Sequence, residues 1–143
     1  MNIIVNGAVT LLVGVIGGTV GAWLQGVFIG PLSEQKKVRR DIAYNLEFYA
    51  HVYGSPGIGP DEELREVYAS LRDNGVRLGG TLDITCYALF ERVHLVLPQR
   101  DVRAAAKDLK RLANQVLRAN PEFTQENPDL AKRIRMQLKF PVN

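Results

Sequence analysis

The sequence has little of what staples a small fold or holds a metal. One cysteine, Cys86, among 143 residues cannot close a disulfide within the chain, and with only two histidines it is too few for a structural zinc cluster. No metal and no cofactor is expected. Charge is absent from one region entirely: residues 1–33 contain no Asp, Glu, Lys or Arg, so all 18 basic and 15 acidic side chains follow Ser33. The net charge of +3 therefore averages two different materials. No apolar–polar alternation is long enough to demand a sheet, and neither Gly54 to Gly59 nor Gly79-Gly80 leads into the Lys-Ser or Lys-Thr of a phosphate-binding loop. His51 and His94 stand in apolar helical contexts, and Cys86 reads as a small hydrophobe without a partnered histidine. With no nucleophile–base pair and no metal constellation, the chain is not expected to be an enzyme.

What is present begins with a greasy stretch. Ile3 to Ile29 reads IIVNGAVTLLVGVIGGTVGAWLQGVFI, long enough as a helix to cross a hydrocarbon layer of ~30 Å at ~1.5 Å per residue. The spacing predicts one N-terminal transmembrane helix within residues 1–30, stopped by Gly30 and Pro31. Lys36, Lys37, Arg39 and Arg40 follow it and no basic residue precedes it, which places residues 31–143 in the cytoplasm as a small helical domain, on the inner face of the cell membrane. A cleaved signal peptide would want a basic start and a shorter apolar run. At 100° per residue, Gly7, Thr10, Gly14, Gly18, Gly21 and Gln25 fall within roughly an 80° arc. Small and polar residues in one stripe let helix backbones approach, so the anchor is expected to form a homo-oligomer, with a pore between several copies as a further step. The plainer reading is that glycine is common in such helices.

The rest reads as all-α. Val38, Ile42, Leu46, Tyr49 and Tyr53 recur at steps of three or four, predicting a helix from a Ser33 cap to about Tyr53. A loop over residues 54–60 leads to a second helix opened by Pro60 or Asp61, with Leu64, Val67, Tyr68 and Leu71 inward, closed at Asn74-Gly75. A third runs from a Thr81 cap to about Leu97, with Ile84, Tyr87, Ala88, Val93 and Leu95 buried, unless residues 93–97 form a short strand. A fourth spans about Arg100 to Ala119, Asn120-Pro121 breaks the chain, and a last helix starts at Asn127-Pro128 and ends near Phe140.

The fourth helix carries the most informative pattern. Arg100, Arg103, Lys107, Lys110, Arg111, Asn114 and Arg118 fall within roughly a 100° arc, while Val102, Ala105, Ala106, Leu109, Leu112, Ala113, Val116 and Leu117 fill the opposite side. A solvated face ordinarily mixes signs to gain i,i+4 pairs, so a stripe of one sign implies an anionic counterpart. Three are open. One is a phosphate ligand such as a short single-stranded nucleic acid, with Asn114 bonding sugar or base. The second is the anionic membrane lipid beside the anchor. The third is an acidic protein surface, for instance Asp61-Glu62-Glu63 with Glu66. Tyr44, Phe48, Tyr49 and Tyr53 could stack bases, but at helical spacing aromatics more often belong to the core.

Arg40-Asp41-Ile42-Ala43-Tyr44, Phe48 to Tyr53, and Ala105-Ala106-x-x-Leu109-x-x-Leu112-Ala113-Asn114 together resemble small bacterial single-pass membrane proteins, and among them the Hailong-type anti-phage membrane effectors. The resemblance implies an oligomeric ion channel of antiviral defence, held closed by a short DNA oligomer, with the glycine-lined anchors as conduit and the Arg/Lys surface as ligand site. Those motifs are core patterns plus one Asn and match no binding motif residue by residue. The alternative is a noncatalytic membrane-anchored scaffold whose basic face docks on anionic lipid or an acidic partner.

Overall fold

The computed structural model describes residues 17–23, 25–83 and 87–140 and divides the chain into two compact units, Met1–Ser33 and Glu34–Asn143. Every element among the described residues is helical, in agreement with the all-α reading. No helix among them is long and apolar enough to cross a membrane; residues 3–16 and 24 of the expected span lie outside the described residues.

In the first unit, residues 17–23 are helical and a π-helical turn, Gln25–Ile29, leads directly into helix α1 (Gly30–Phe48). Gly30-Pro31 therefore does not stop a helix, as its composition suggests, but stands in the first turn of one. The amide that proline lacks falls just after the π-turn, where the regular i→i−4 ladder is already interrupted. Ser33 is not a cap either: its hydroxyl donates to the Gly30 carbonyl at 2.8 Å.

The second unit contains most of α1, then α2 (Ala50–Gly54), α3 (Asp61–Gly80), a 3-10 turn (Thr81–Asp83), α4 (Tyr87–Arg92), α5 (Gln99–Val116) and α6 (Pro121–Gln137). Helix α5 is the centre. It packs against both α3 and α6, and Val102, Ala105, Ala106, Leu109, Leu112, Ala113 and Val116 are all buried. Val38, Ile42 and Leu46 of α1, Leu64, Val67, Leu71 and Leu78 of α3, and Leu130, Ala131 and Ile134 of α6 join them in one core. The alanines keep α5 slim, and Gly75 lets α3 press close: a Cβ there would meet the Ala106 carbonyl and the Lys110 side chain at 3.1 Å. That is why Asn74-Gly75 lies inside α3, which continues to Gly80, instead of ending it.

The other departures from the sequence reading are also at helix ends. Thr81 donates to the Leu78 carbonyl at 2.7 Å and closes α3 instead of capping a new helix. Of the expected long third helix the described residues show α4, which ends at Arg92, and Ile84 lies outside them. Tyr87 and Phe90 are buried, whereas Ala88, Leu89, Val93 and Leu95 are exposed. His94, at φ 59, ends α4: the Leu95 amide donates to the Phe90 carbonyl at 2.9 Å and the His94 amide to Glu91 at 3.0 Å, the paired bonds of a Schellman cap. Lys139, at φ 54, closes α6 the same way through Phe140 to Arg135 and its own amide to Met136.

Asn120-Pro121 opens α6 instead of breaking the chain. The Asn120 carboxamide accepts from the Glu122 amide at 3.0 Å and Pro121 takes the first turn. Asn127-Pro128, which has the same cap signature, lies inside α6. Asn127 is fully buried and turns its amide sideways to the Tyr53 carbonyl at 2.9 Å, clipping α6 to α2. Arg39 clips α1 to the end of α6, donating to the Leu138 carbonyl at 2.7 Å with its guanidinium over the Phe140 ring; burial lowers its pKa.

Candidate anion-binding groove

Because α5 buries one side between α3 and α6, its polar side is what remains for solvent, and this is where the basic residues stand. Lys107, Lys110, Arg111 and Asn114 follow helical spacing on the exposed side. Helix α5 stops at Val116, and the turn Leu117 to Asn120 folds back tightly, the Asn120 amide donating to the Arg118 carbonyl at 2.8 Å. The cap at Asn120 then aims the first turns of α6 back along α5. The result is a groove of about 540 Å³ lined by Lys107, Lys110, Arg111, Asn114, Gln115, Arg118 and Phe123.

Five of the seven residues expected from the helical wheel thus share one concavity. Arg100 and Arg103 do not join it. Both are exposed nearer the start of α5, and Arg100 pairs with its neighbour Asp101 at 3.2 Å. Three participants were not expected. Gln115 is buried beneath the cations, Phe123 contributes a half-buried ring, and Glu126 enters as an internal counter-charge. Glu126 pairs with Arg111 through one oxygen and accepts from Gln115 Nε2 at 2.8 Å through the other. The Gln115 carbonyl oxygen is buried with no donor. The repeated Asn-Pro signature at 120–121 was the available signal that α6 starts early enough to bring Phe123 and Glu126 here.

The groove's charge is only partly compensated. Among the described residues no carboxylate stands within ion-pair distance of Lys107, Lys110 or Arg118. Asp108, on the flank of α5, is engaged elsewhere, with Arg133 at 3.2 Å and Gln137 at 3.3 Å of α6. Chemically the groove offers several cations, an amide at Asn114, an unused acceptor at Gln115 and an aromatic ring: the set that suits a ligand carrying both negative charge and flat N–H-bearing rings.

A second groove of about 510 Å³ between α1 and α3 has another character. Arg40 and Arg77 face Asp41 and Asp73 across it, and Arg77 is committed to Glu34 at 3.1 Å and Asp41 at 3.2 Å. The Glu34 bond, ahead of the Asp41 contact, holds the Arg77 guanidinium above its ordinary pKa. Unlike the first groove, this one is lined by carboxylates as well as cations. The aromatics on this side divide as well: Tyr49 and Tyr53 are core, while Tyr44 and Phe48 are exposed and stacked, centroids 5.5 Å apart.

Of the anchor stripe, Gly18 and Gly21 are exposed within helical residues 17–23 and Gln25 is exposed at the start of the π-turn; Gly7, Thr10 and Gly14 lie outside the described residues. The 100° step behind the stripe does not carry past that turn. Among the described residues no group of three or more His, Cys, Asp or Glu is placed to hold a metal. Comparison with family models, with curated proteins and with solved structures returns no match.

Proposed function

We propose that this chain is a noncatalytic, oligomeric membrane effector whose helical unit binds a short single-stranded nucleic acid, or an oligoanion like it, in the α5–α6 groove. The observation that carries the reading is the gathering of Lys107, Lys110 and Arg118, without internal counter-ions, around Asn114, Phe123 and the donor-less Gln115 oxygen. Phosphates on the cations, a base against Phe123 and its N–H groups on Gln115 would use the whole set. The uncharged stretch Ile3 to Ile29 supplies the single span in the cell's inner membrane, its Gly7-to-Gln25 stripe the contact between copies, and the basic residues after Ser33 a cytoplasmic helical unit. The bound oligoanion sets the resting state of the conduit, as the likeness to Hailong-type effectors implies. A scaffold that docks lipid or an acidic partner through the same face is the competing reading.

The test is purification of the full chain in detergent without nuclease treatment. The proposal expects particles of several copies that carry nucleic acid, and membrane permeabilisation when Lys107→Glu and Arg111→Glu release the ligand. A monomer without bound nucleic acid, silent on membranes in both forms, would contradict it. Loss of liposome binding by the same variant with no change in permeability would favour the scaffold.

A further inference from the structure

One surface has no part in the groove. Helix α4 buries Tyr87 and Phe90 and turns Leu89 and, one turn later, Val93 outward; Leu95 follows in the Schellman turn. These three are 54%, 53% and 56% exposed, a cluster of large aliphatic side chains where a solvated turn would ordinarily carry polar ones.

Its place in the fold is fixed by a closed set of buried hydrogen bonds. Gln35 Nε2 donates to the Tyr87 hydroxyl at 3.1 Å, the Tyr87 hydroxyl donates to the Leu97 carbonyl at 2.8 Å, and the Leu97 amide donates to Gln35 Oε1 at 3.4 Å. Burial pushes the Tyr87 phenol up, which keeps this donor protonated. The α4 turn is thereby tied to the beginning of α1, where Lys36 and Lys37 are exposed. Arg92, beside Leu89 and Val93, is exposed too, while Glu91 of the same helix points the other way, accepting from the Gln99 amide at 3.3 Å. Arg92 thus stands beside the aliphatic cluster by helical spacing, and Lys36 and Lys37 directly follow the Gln35 that holds its turn.

We infer that the α4 turn is a membrane-surface contact: Leu89, Val93 and Leu95 enter the headgroup–acyl boundary of an anionic bilayer, with Arg92, Lys36 and Lys37 at the phosphate level. Apolar side chains inserted a few ångströms and ringed by Lys and Arg are the chemistry of interfacial binding. Three half-exposed side chains offer at most a few hundred Å², well below the ~800 Å² per partner of a stable protein interface, so a lipid surface suits the cluster better than a second copy does. The inference rests on the membrane reading above, and the test separates the two.

The full chain, with Cys86→Ser, is given one new cysteine at Val93, at Val13 or at Asn114, labelled with an environment-sensitive fluorophore, and reconstituted in vesicles of phosphatidylglycerol and phosphatidylcholine containing a spin-labelled quencher lipid. Loss of emission at both Val93 and Val13, with Asn114 unaffected, is the expected result. Quenching at Val13 alone overturns the α4 contact and leaves the anchor standing; quenching at neither overturns both. A Val93 probe shielded from aqueous iodide but untouched by the lipid quencher shows protein covering the cluster, and also overturns the inference. Val93 is half exposed, so its labelling does not ask the core to repack.

Discussion

Glu126 is the groove's own anion, and replacing it separates a ligand site from a self-satisfied ion-pair surface. In Glu126→Gln the carboxamide oxygen can still accept from Gln115, but the ion pair to Arg111 is lost and one cation is released. The stability change should stay below ~1 kcal/mol, because the pair is solvent-exposed, at 53% for the Arg111 side chain and 32% for that of Glu126. Binding should change more. Lys107, Lys110 and Arg118 as three phosphate contacts give a salt slope of about −2 for a single strand, so affinity falls about twentyfold between about 50 and 200 mM salt. A fourth contact from the released Arg111 steepens the slope by about 0.7 and, at ~1 kcal/mol, tightens binding about fivefold at low salt. The assay is anisotropy of a labelled oligonucleotide titrated with the full chain at several salt concentrations. An unchanged slope together with unchanged affinity would refute the reasoning, since the released Arg111 would then add nothing to anion binding in the groove.

Other outcomes follow from the fold. Gly57 sits at φ +70, and a Cβ there would stand 2.5 Å from the Ala119 backbone; Gly57→Ala should cost about 3 kcal/mol or more from left-handed strain plus overpacking, while Gly54→Ala, in open space, should stay within ~0.5 kcal/mol, both read by urea denaturation of the full chain. Asn127→Ala removes the donor to the Tyr53 carbonyl and should cost about 2 kcal/mol without changing oligonucleotide affinity at the groove. Lys139→Gly relieves a left-handed non-glycine cap and should stabilise by about 1 kcal/mol, seen as a higher denaturation midpoint.

The faces of the helices were legible in the sequence and their ends were not. Burial periodicity is local, so the core positions from Val38 to Tyr53 and the two sides of α5 could be read directly: Val38, Ile42, Leu46, Tyr49 and Tyr53 are all buried, although the helix expected to run through them breaks at Tyr49 into α1 and α2. Ends depend on neighbours. Asn-Pro occurs twice seven residues apart, and only the burial of Asn127 against Tyr53 decides that the first is the cap. Asn74-Gly75 looks like a stop until α5 is seen to need a residue without a side chain there. His94 and Lys139 take the left-handed cap position that glycine would have advertised. The groove inherited both properties: its cations lie on a readable face, whereas Phe123 and Glu126 reach it only because α6 begins at Pro121. Val93 and Leu95 misled for a similar reason: α4 ends at Arg92, which leaves both exposed while Val96 and Leu97 beyond them are buried.

The central claim is that cations gathered in the α5–α6 groove, and not positive charge in general, hold the oligoanion. The direct measurement is the affinity of the full chain for one labelled single-stranded oligonucleotide, compared between Lys110→Glu/Arg118→Glu in the groove and Arg65→Glu/Lys132→Glu at exposed positions outside it. The same change in net charge should weaken binding more than about tenfold in the first variant and less than about threefold in the second. Equal losses in the two variants, or none in either, would contradict the account.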